Sequence, residues 1–271
     1  MTQLLSTETK TSHKIYSLIN SLVLALVIWW NYYSNTGNIS GKTVGELSAE
    51  YDNYFTPAGY AFSIWGIIYL ALTIQAIFFL RRAFSKTKDS DFLSQIGPYL
   101  ILTNLLNAAW LWFWLMEHTG ISVIVMLAIL SSLIVLILNL NMNKWKAPSK
   151  IRWFVQIPIS IYAGWITVAT IANISAYLTK YNWSAGPFDA ITWAIIMMAI
   201  AALVNIFILF NRQLIAYPLV GVWALLAISV RHAGTENLLQ GTALICASSI
   251  LLALGIFLLR KNSFRSKISE G

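Results

Sequence analysis

Long apolar runs alternate with short polar segments along almost the whole chain. An α-helix needs about 20 mostly apolar residues to cross the hydrocarbon core of a bilayer, and most of these runs have that length. The seventh run is the shortest. The pattern therefore predicts eight spanning helices, at residues 15–33, 57–80, 96–116, 121–140, 153–178, 188–210, 214–230 and 241–259.

The composition supports an all-α integral membrane protein. The chain is 58% hydrophobic and 10% charged, whereas an average soluble domain is about 25% charged. The net charge of +8 could suggest nucleic-acid binding, but the basic residues lie in short runs between apolar spans, where membrane topology explains them. The single cysteine, Cys246, allows no internal disulfide and no cysteine cluster for a metal.

The distribution of basic residues predicts the orientation. With eight spans and the N-terminus in the cytoplasm, all but three of the 18 Lys and Arg residues face the cytoplasm, the exceptions being Lys42, Lys180 and Arg231. This arrangement obeys the positive-inside rule, so both termini are expected to be cytoplasmic. The longest outer loop, residues 34–56, is acidic and long enough to cover a binding site.

Polar and aromatic residues of three predicted helices share the outer half of the membrane. Asn107, Trp110 and Trp114 lie on one face of the third helix, because residues three and four apart are neighbours. Trp165 and Asn173 lie on roughly one face of the fifth, and Tyr60, Phe62 and Trp65 follow a corner at residues 57–59. Such a lining suits a large planar apolar ligand with polar edges.

Two structural interpretations compete with a pocket. Tryptophans gather at membrane interfaces without binding any ligand, which suits Trp29, Trp30, Trp153 and Trp183. Asparagines often join neighbouring membrane helices through hydrogen bonds. Glycines such as Gly59, Gly66 and Gly164 are consistent with close contacts between helices.

Recognisable catalytic motifs are missing from the sequence, which favours a binding protein over an enzyme. The histidines His13, His118 and His232 are scattered, and no zincin, Walker or nucleophile-elbow motif is present. Almost no acidic residue lies inside a span, which argues against a proton-coupled pump. An enzyme that modifies a hydrophobic ligand, a transporter and a membrane partner protein without a small ligand remain as alternatives.

These residues resemble motifs of the translocator-protein family, also called TspO/MBR or tryptophan-rich sensory proteins. The family signature P-P-G-W-V-F-G-P-V-W-x-x-x-Y corresponds to P-A-G-Y-A-F-S-I-W at residues 57–65, followed by Tyr69, with a one-residue deletion before Trp65. The family motif L-N-x-x-W corresponds to L-N-A-A-W at residues 106–110. Y-A-G-W at residues 162–165, with Asn173 eight residues after the tryptophan, resembles the fifth-helix motif without its proline.

The resemblance implies a five-helix core at residues 15–178, with the outer loop 34–56, and a three-helix extension at residues 188–260. It further implies a multi-pass protein of the bacterial inner membrane, in contact with lipid, from a family in which homodimers are common. The protein would be a receptor or carrier for a porphyrin or haem ligand, with no required cofactor. The expected ligand-binding residues are Phe55, Pro57, Tyr60, Phe62, Trp65, Asn107, Trp110, Trp114, Trp165 and Asn173.

Overall fold

The computed structural model describes residues 2–85, 92–142, 147–183, 186 and 188–269. The described part consists of helices, turns and loops, and contains no β-strand. The helices are α1 (Thr2–Ser34), α2 (Val44–Glu50), α3 (Ile64–Phe84), α4 (Phe92–Leu115), α5 (Thr119–Asn139), α6 (Ser149–Ile151), α7 (Ile157–Lys180), α8 (Ala190–Arg212), α9 (Ala216–Arg231) and α10 (Asn237–Ser269).

Two further helical turns differ from the α-helical pattern. A 3₁₀ helix, Gly59–Ser63, precedes α3, and a π-helix, Arg152–Gln156, precedes α7. Pro158 explains the π-helix, because a proline ring displaces the carbonyl group four residues earlier and thereby widens the turn. The Val155 carbonyl in this turn accepts a hydrogen bond of 3.2 Å from the buried Gln75 amide of α3.

Among the described residues, seven helical segments are long and apolar enough to cross a membrane: Thr11–Ser34, Gly59–Phe84, Gln95–Leu115, Thr119–Asn139, Ser149–Lys180, Ala190–Arg212 and Asn237–Lys261. The predicted seventh span is the 16-residue helix α9, which is about 24 Å long at 1.5 Å per residue. The prediction of an all-α membrane protein is confirmed, with seven of the eight predicted spans long and apolar enough to cross a membrane.

The helices form two compact units. The first contains Met1–Glu50 and Ser63–Ile159, and the second contains Tyr51–Phe62 and Ser160–Gly271. In the first unit α1 packs against α3 and α4, and α4 packs against α5; in the second, α8, α9 and α10 pack together. The predicted division into a five-helix core at residues 15–178 and a three-helix extension at residues 188–260 stays a prediction.

Candidate functional site

Three indole rings form a continuous stack in the first unit. The rings of Trp65 on α3 and Trp110 on α4 have centroids 6.5 Å apart with an interplanar angle of 29°, and Trp110 and Trp114 have centroids 6.1 Å apart at 16°. Trp110 and Trp114 stack because they are one helical turn apart on the same face of α4. All three side chains are buried, with at most 8% exposed, so they do not face lipid.

A buried tyrosine–asparagine contact extends this indole stack. Tyr69 stacks on Trp65 with ring centroids 5.4 Å apart, and its hydroxyl donates a 3.1 Å hydrogen bond to Oδ1 of Asn107. The Nδ2 atom of Asn107 is buried and has no hydrogen-bond partner in the described part of the chain. An unsatisfied buried donor costs about 1–3 kcal/mol, so this amide is suited to bonding the polar edge of a ligand.

Helix α2 contacts the Trp114 end of the stack. The Trp114 indole N–H donates to the Val44 carbonyl oxygen at 3.4 Å, and Val44 and Leu47 are buried. Thr43 and Glu46 form a capping box at the start of α2: the Thr43 N–H donates to Glu46 Oε2 at 2.7 Å, and the Glu46 N–H donates to Thr43 Oγ1 at 3.2 Å. The hydrogen bond from the Thr43 N–H lowers the pKa of the Glu46 carboxyl.

Lys42 adds an ionic contact beside α2. Its ammonium is 2.6 Å from Glu50 Oε2 and 4.0 Å from Glu117 Oε1. The hydrogen bond to Glu50 raises the pKa of Lys42 above its ordinary value. All three residues are partly exposed, so the pair contributes little to stability, but it fixes this part of the loop close to the end of α4.

In the second unit, the predicted residues fall into smaller groups. Phe62 and Trp165 meet edge to face, with ring centroids 6.0 Å apart at 81°. Tyr60 instead meets Trp223 of α9, with centroids 5.3 Å apart at 85°. Trp165, Asn173 and Phe55 are buried, as is Pro57, and Phe55 belongs to the hydrophobic core of this unit.

The corner segment, residues 51–62, is bound to α9 along much of its length. The Ala58 N–H donates to the Ala227 carbonyl at 3.0 Å, and the Trp223 indole N–H donates to the Ala61 carbonyl at 3.2 Å. At the end of α9, Arg231 Nη2 lies 2.8 Å from Asp52 Oδ2. The corner is therefore held by both backbone and side-chain contacts within the second unit.

A cleft of about 750 Å³ lies at the end of the second unit where α7 and α9 finish and α8 and α10 begin. Its walls come from the corner segment and from the ends of these four helices. They are formed by Asp52, Asn53, Tyr54, Phe55, Ser175, Leu178, Thr179, Asn182, Trp183, Ala190, Trp193, Ala194, Arg231, His232, Thr235 and Glu236.

Hydrogen bonds order both sides of this cleft. Nε2 of the buried His232 is 3.0 Å from the Tyr54 carbonyl oxygen. Because a carbonyl can only accept, Nε2 carries the hydrogen. Asp189 caps α8 by accepting a 2.6 Å hydrogen bond from the Thr192 N–H, which lowers the pKa of the Asp189 carboxyl.

A TSPO-like protein family model matches residues 17–256. The chain belongs to the TSPO-like protein family. The match includes α8, α9 and most of α10 as well as the helices that carry the motifs. No curated protein and no solved structure matches the chain.

The site residues predicted for this TSPO-like protein are divided between its two compact units. Those in the first are Trp65, Asn107, Trp110 and Trp114, and those in the second are Phe55, Pro57, Tyr60, Phe62, Trp165 and Asn173. The structure brings Trp65, Trp110 and Trp114 together, with Asn107 beside them through Tyr69. A single pocket formed by all ten residues stays a prediction.

Sequence reasoning missed most of the cleft. Of the ten predicted residues, only Phe55 lines it. Trp183 was assigned to an interfacial belt, and Trp193, His232 and Glu236 were not assigned to a site. One feature of the sequence could have indicated this cleft. These four residues lie at helix ends that the predicted topology places on the same side of the membrane. Within the described residues, no group of three or more His, Cys, Asp or Glu side chains could hold a metal ion.

Proposed function

We propose that this TSPO-like membrane protein is a receptor or carrier that binds a planar hydrophobic ligand of the porphyrin type against the Trp65–Trp110–Trp114 stack. The near-parallel packing of these three buried rings is the observation that carries the proposal. Flat apolar rings provide a large contact area and favour offset stacking with other aromatic systems.

The polar edge of the ligand would meet the Asn107 amide. Its Oδ1 is engaged by Tyr69, and its Nδ2 is buried without a partner among the described residues. If the Asn107 amide were flipped, the Tyr69 hydroxyl would accept a hydrogen bond from Nδ2, and Oδ1 would be the atom without a partner among the described residues. In either orientation one polar atom of Asn107 remains for a ligand group.

Access to the stack would require α2 to move. The three tryptophans are almost completely buried, and within this unit α2 touches the Trp114 end through the Val44 carbonyl. The contacts that hold α2 there are the buried side chains of Val44 and Leu47, the long hydrogen bond of 3.4 Å and the partly exposed Lys42 pair. Because α2 has only seven residues and two buried side chains, its displacement would expose less apolar surface than displacement of a spanning helix.

Titration of the purified full-length protein with protoporphyrin, followed by porphyrin absorption, tests the proposal. Trp65→Ala and Trp110→Ala should each weaken binding about tenfold. The reason is that stacking of a nucleobase, which is also a flat ring, on an aromatic side chain contributes about 1–3 kcal/mol to the binding free energy. Trp153→Ala is the matched control, since Trp153 is 66% exposed. Unchanged affinity in a folded variant that lacks Trp65, Trp110 and Trp114 would contradict the proposal.

A further inference from the structure

The cleft of the second unit has the size of a small-molecule site. Its volume of about 750 Å³ lies within the range of about 300–1,000 Å³ that is typical of ligand pockets. Trp65, Trp110 and Trp114, which carry the proposed function, do not line it. A ligand here would therefore be bound independently of the indole stack.

The aromatic wall of the cleft is formed by Trp183 and Trp193. Their rings meet edge to face, with centroids 5.0 Å apart at 69°. Trp183 is 42% exposed, and Trp193 on the first turn of α8 is partly exposed. An indole ring that is not covered on both faces attracts apolar rings, and its negative π-face also attracts cations.

The charges around the cleft favour a cation. Asp52 and Arg231 neutralise each other at 2.8 Å, and Arg231 is the only Lys or Arg among the described residues that line the cleft. Glu236 also lines it and supplies a second carboxylate. With His232 neutral, the lining therefore carries one net negative charge.

His232 lines the same cleft and has, in its neutral form, one ring nitrogen that can accept a hydrogen bond. Because its Nε2 donates to the Tyr54 carbonyl at 3.0 Å, the neutral ring leaves Nδ1 as an acceptor. An ammonium group has three donors and no acceptor, so it matches the Glu236 carboxylate and this ring nitrogen. A carboxylate ligand would instead have to share Arg231 with Asp52 and would be repelled by Glu236.

We propose that the cleft at the ends of α7, α8, α9 and α10 is a second binding site, which takes a small aromatic organic cation. The ring of the ligand packs against Trp183 and Trp193, and its ammonium group is held by Glu236. The Asp52–Arg231 ion pair keeps the corner segment in place as one wall.

Two probes with the same naphthalene ring and opposite charge test this site. The purified full-length protein, in an uncharged detergent, is titrated calorimetrically with 1-naphthylmethylammonium and with 1-naphthylacetate. The cation should bind at least tenfold more tightly than the anion. Equal affinity, tighter binding of the anion, or no saturable binding of either probe would overturn the proposal.

Variants assign the binding to the cleft. Glu236→Gln should remove most of the preference for the cation, and Trp193→Ala should weaken both probes about tenfold. Glu117→Gln is the control for loss of an acidic charge, because Glu117 lies in the first unit beside Lys42. If the Trp193→Ala variant does not fold, the cation preference of the Glu236→Gln variant alone tests whether the probes bind in the cleft. A folded Glu236→Gln variant with an unchanged preference would overturn the assignment.

The two proposed binding sites can be tested independently of each other. Trp110→Ala should leave the affinity for naphthylmethylammonium unchanged, while Glu236→Gln should leave porphyrin absorption changes unchanged. Loss of cation binding in Trp110→Ala would show that the cation occupies the indole stack, and would overturn the second site.

Discussion

At the scale of single residues, two buried hydroxyl groups form a hydrogen bond between α7 and α9. Thr167 Oγ1 and the Tyr217 hydroxyl are 2.6 Å apart, and both side chains are buried. Thr167 also donates to the Ala163 carbonyl of its own helix at 2.9 Å. Because one hydroxyl hydrogen cannot serve both partners fully, Tyr217 is the better donor in this pair.

We expect the Thr167–Tyr217 contact to show a measurable coupling energy. A double-mutant cycle with Thr167→Val and Tyr217→Phe should give about 0.6 kcal/mol, the average measured for hydrogen bonds between membrane helices, and at most about 1.7 kcal/mol. The measurement is reversible unfolding in mixed micelles. Thr170→Val is the control, because the described bond of Thr170 is to the Ile166 carbonyl of its own helix; equal coupling of Tyr217 to both threonines would contradict the prediction.

Close approach of helix backbones is the main feature at the scale of elements. A Cβ atom at Gly164 of α7 would lie 2.8 Å from the Tyr217 carbonyl oxygen of α9, and one at Gly221 of α9 would lie 2.5 Å from the amide of the buried Asn205 on α8. The interpretation of Gly164 as a close helix contact is therefore confirmed. At Gly59 and Gly66 a Cβ atom would meet nothing within 4 Å, so that interpretation is wrong for these two.

Gly164→Ala should destabilise the protein by about 1–3 kcal/mol, the usual cost of overpacking. The neighbouring atom belongs to a backbone carbonyl, which cannot rotate away as a side chain can. Gly255→Ala is the matched control on α10, where a Cβ atom would have open space. Thermal unfolding of both variants measures the difference, and equal melting temperatures would count against a tight α7–α9 contact.

At the scale of the whole molecule, the number of membrane crossings depends on α9. Seven segments have the length and hydropathy of a span, whereas α9 has 16 residues. Its length of about 24 Å is shorter than a hydrocarbon core of about 30 Å, so crossing would require local thinning of the bilayer. If α9 crosses, the termini are on the same side of the membrane.

Cysteine labelling tests this arrangement. In a Cys246→Ala background, an impermeant maleimide applied to intact cells should label Asn38→Cys but not Thr11→Cys or Arg260→Cys, if both termini are cytoplasmic. Thr11, Asn38 and Arg260 are all exposed. All three cysteine variants should therefore be labelled after the cells are lysed, which serves as the control. Labelling of Arg260→Cys but not of Thr11→Cys in intact cells would show that α9 does not cross.

The sequence by itself determined the class of the protein and the positions of its helices. Length and hydropathy suffice for this, because each spanning helix satisfies its backbone hydrogen bonds internally and needs no information about its neighbours. The spacing of Asn107, Trp110 and Trp114 also fixed their common face on α4. Residues within one helix are related by its geometry alone.

Only the tertiary structure decided which side chains from different helices meet. Trp65 stacks on Trp110, while Tyr60, five residues earlier, turns to Trp223. The cleft likewise brings together Tyr54 and His232, which are 178 residues apart in the chain. Such contacts depend on how helices pack and where loops return, and neither the period of a helix nor the hydropathy of a span contains that information.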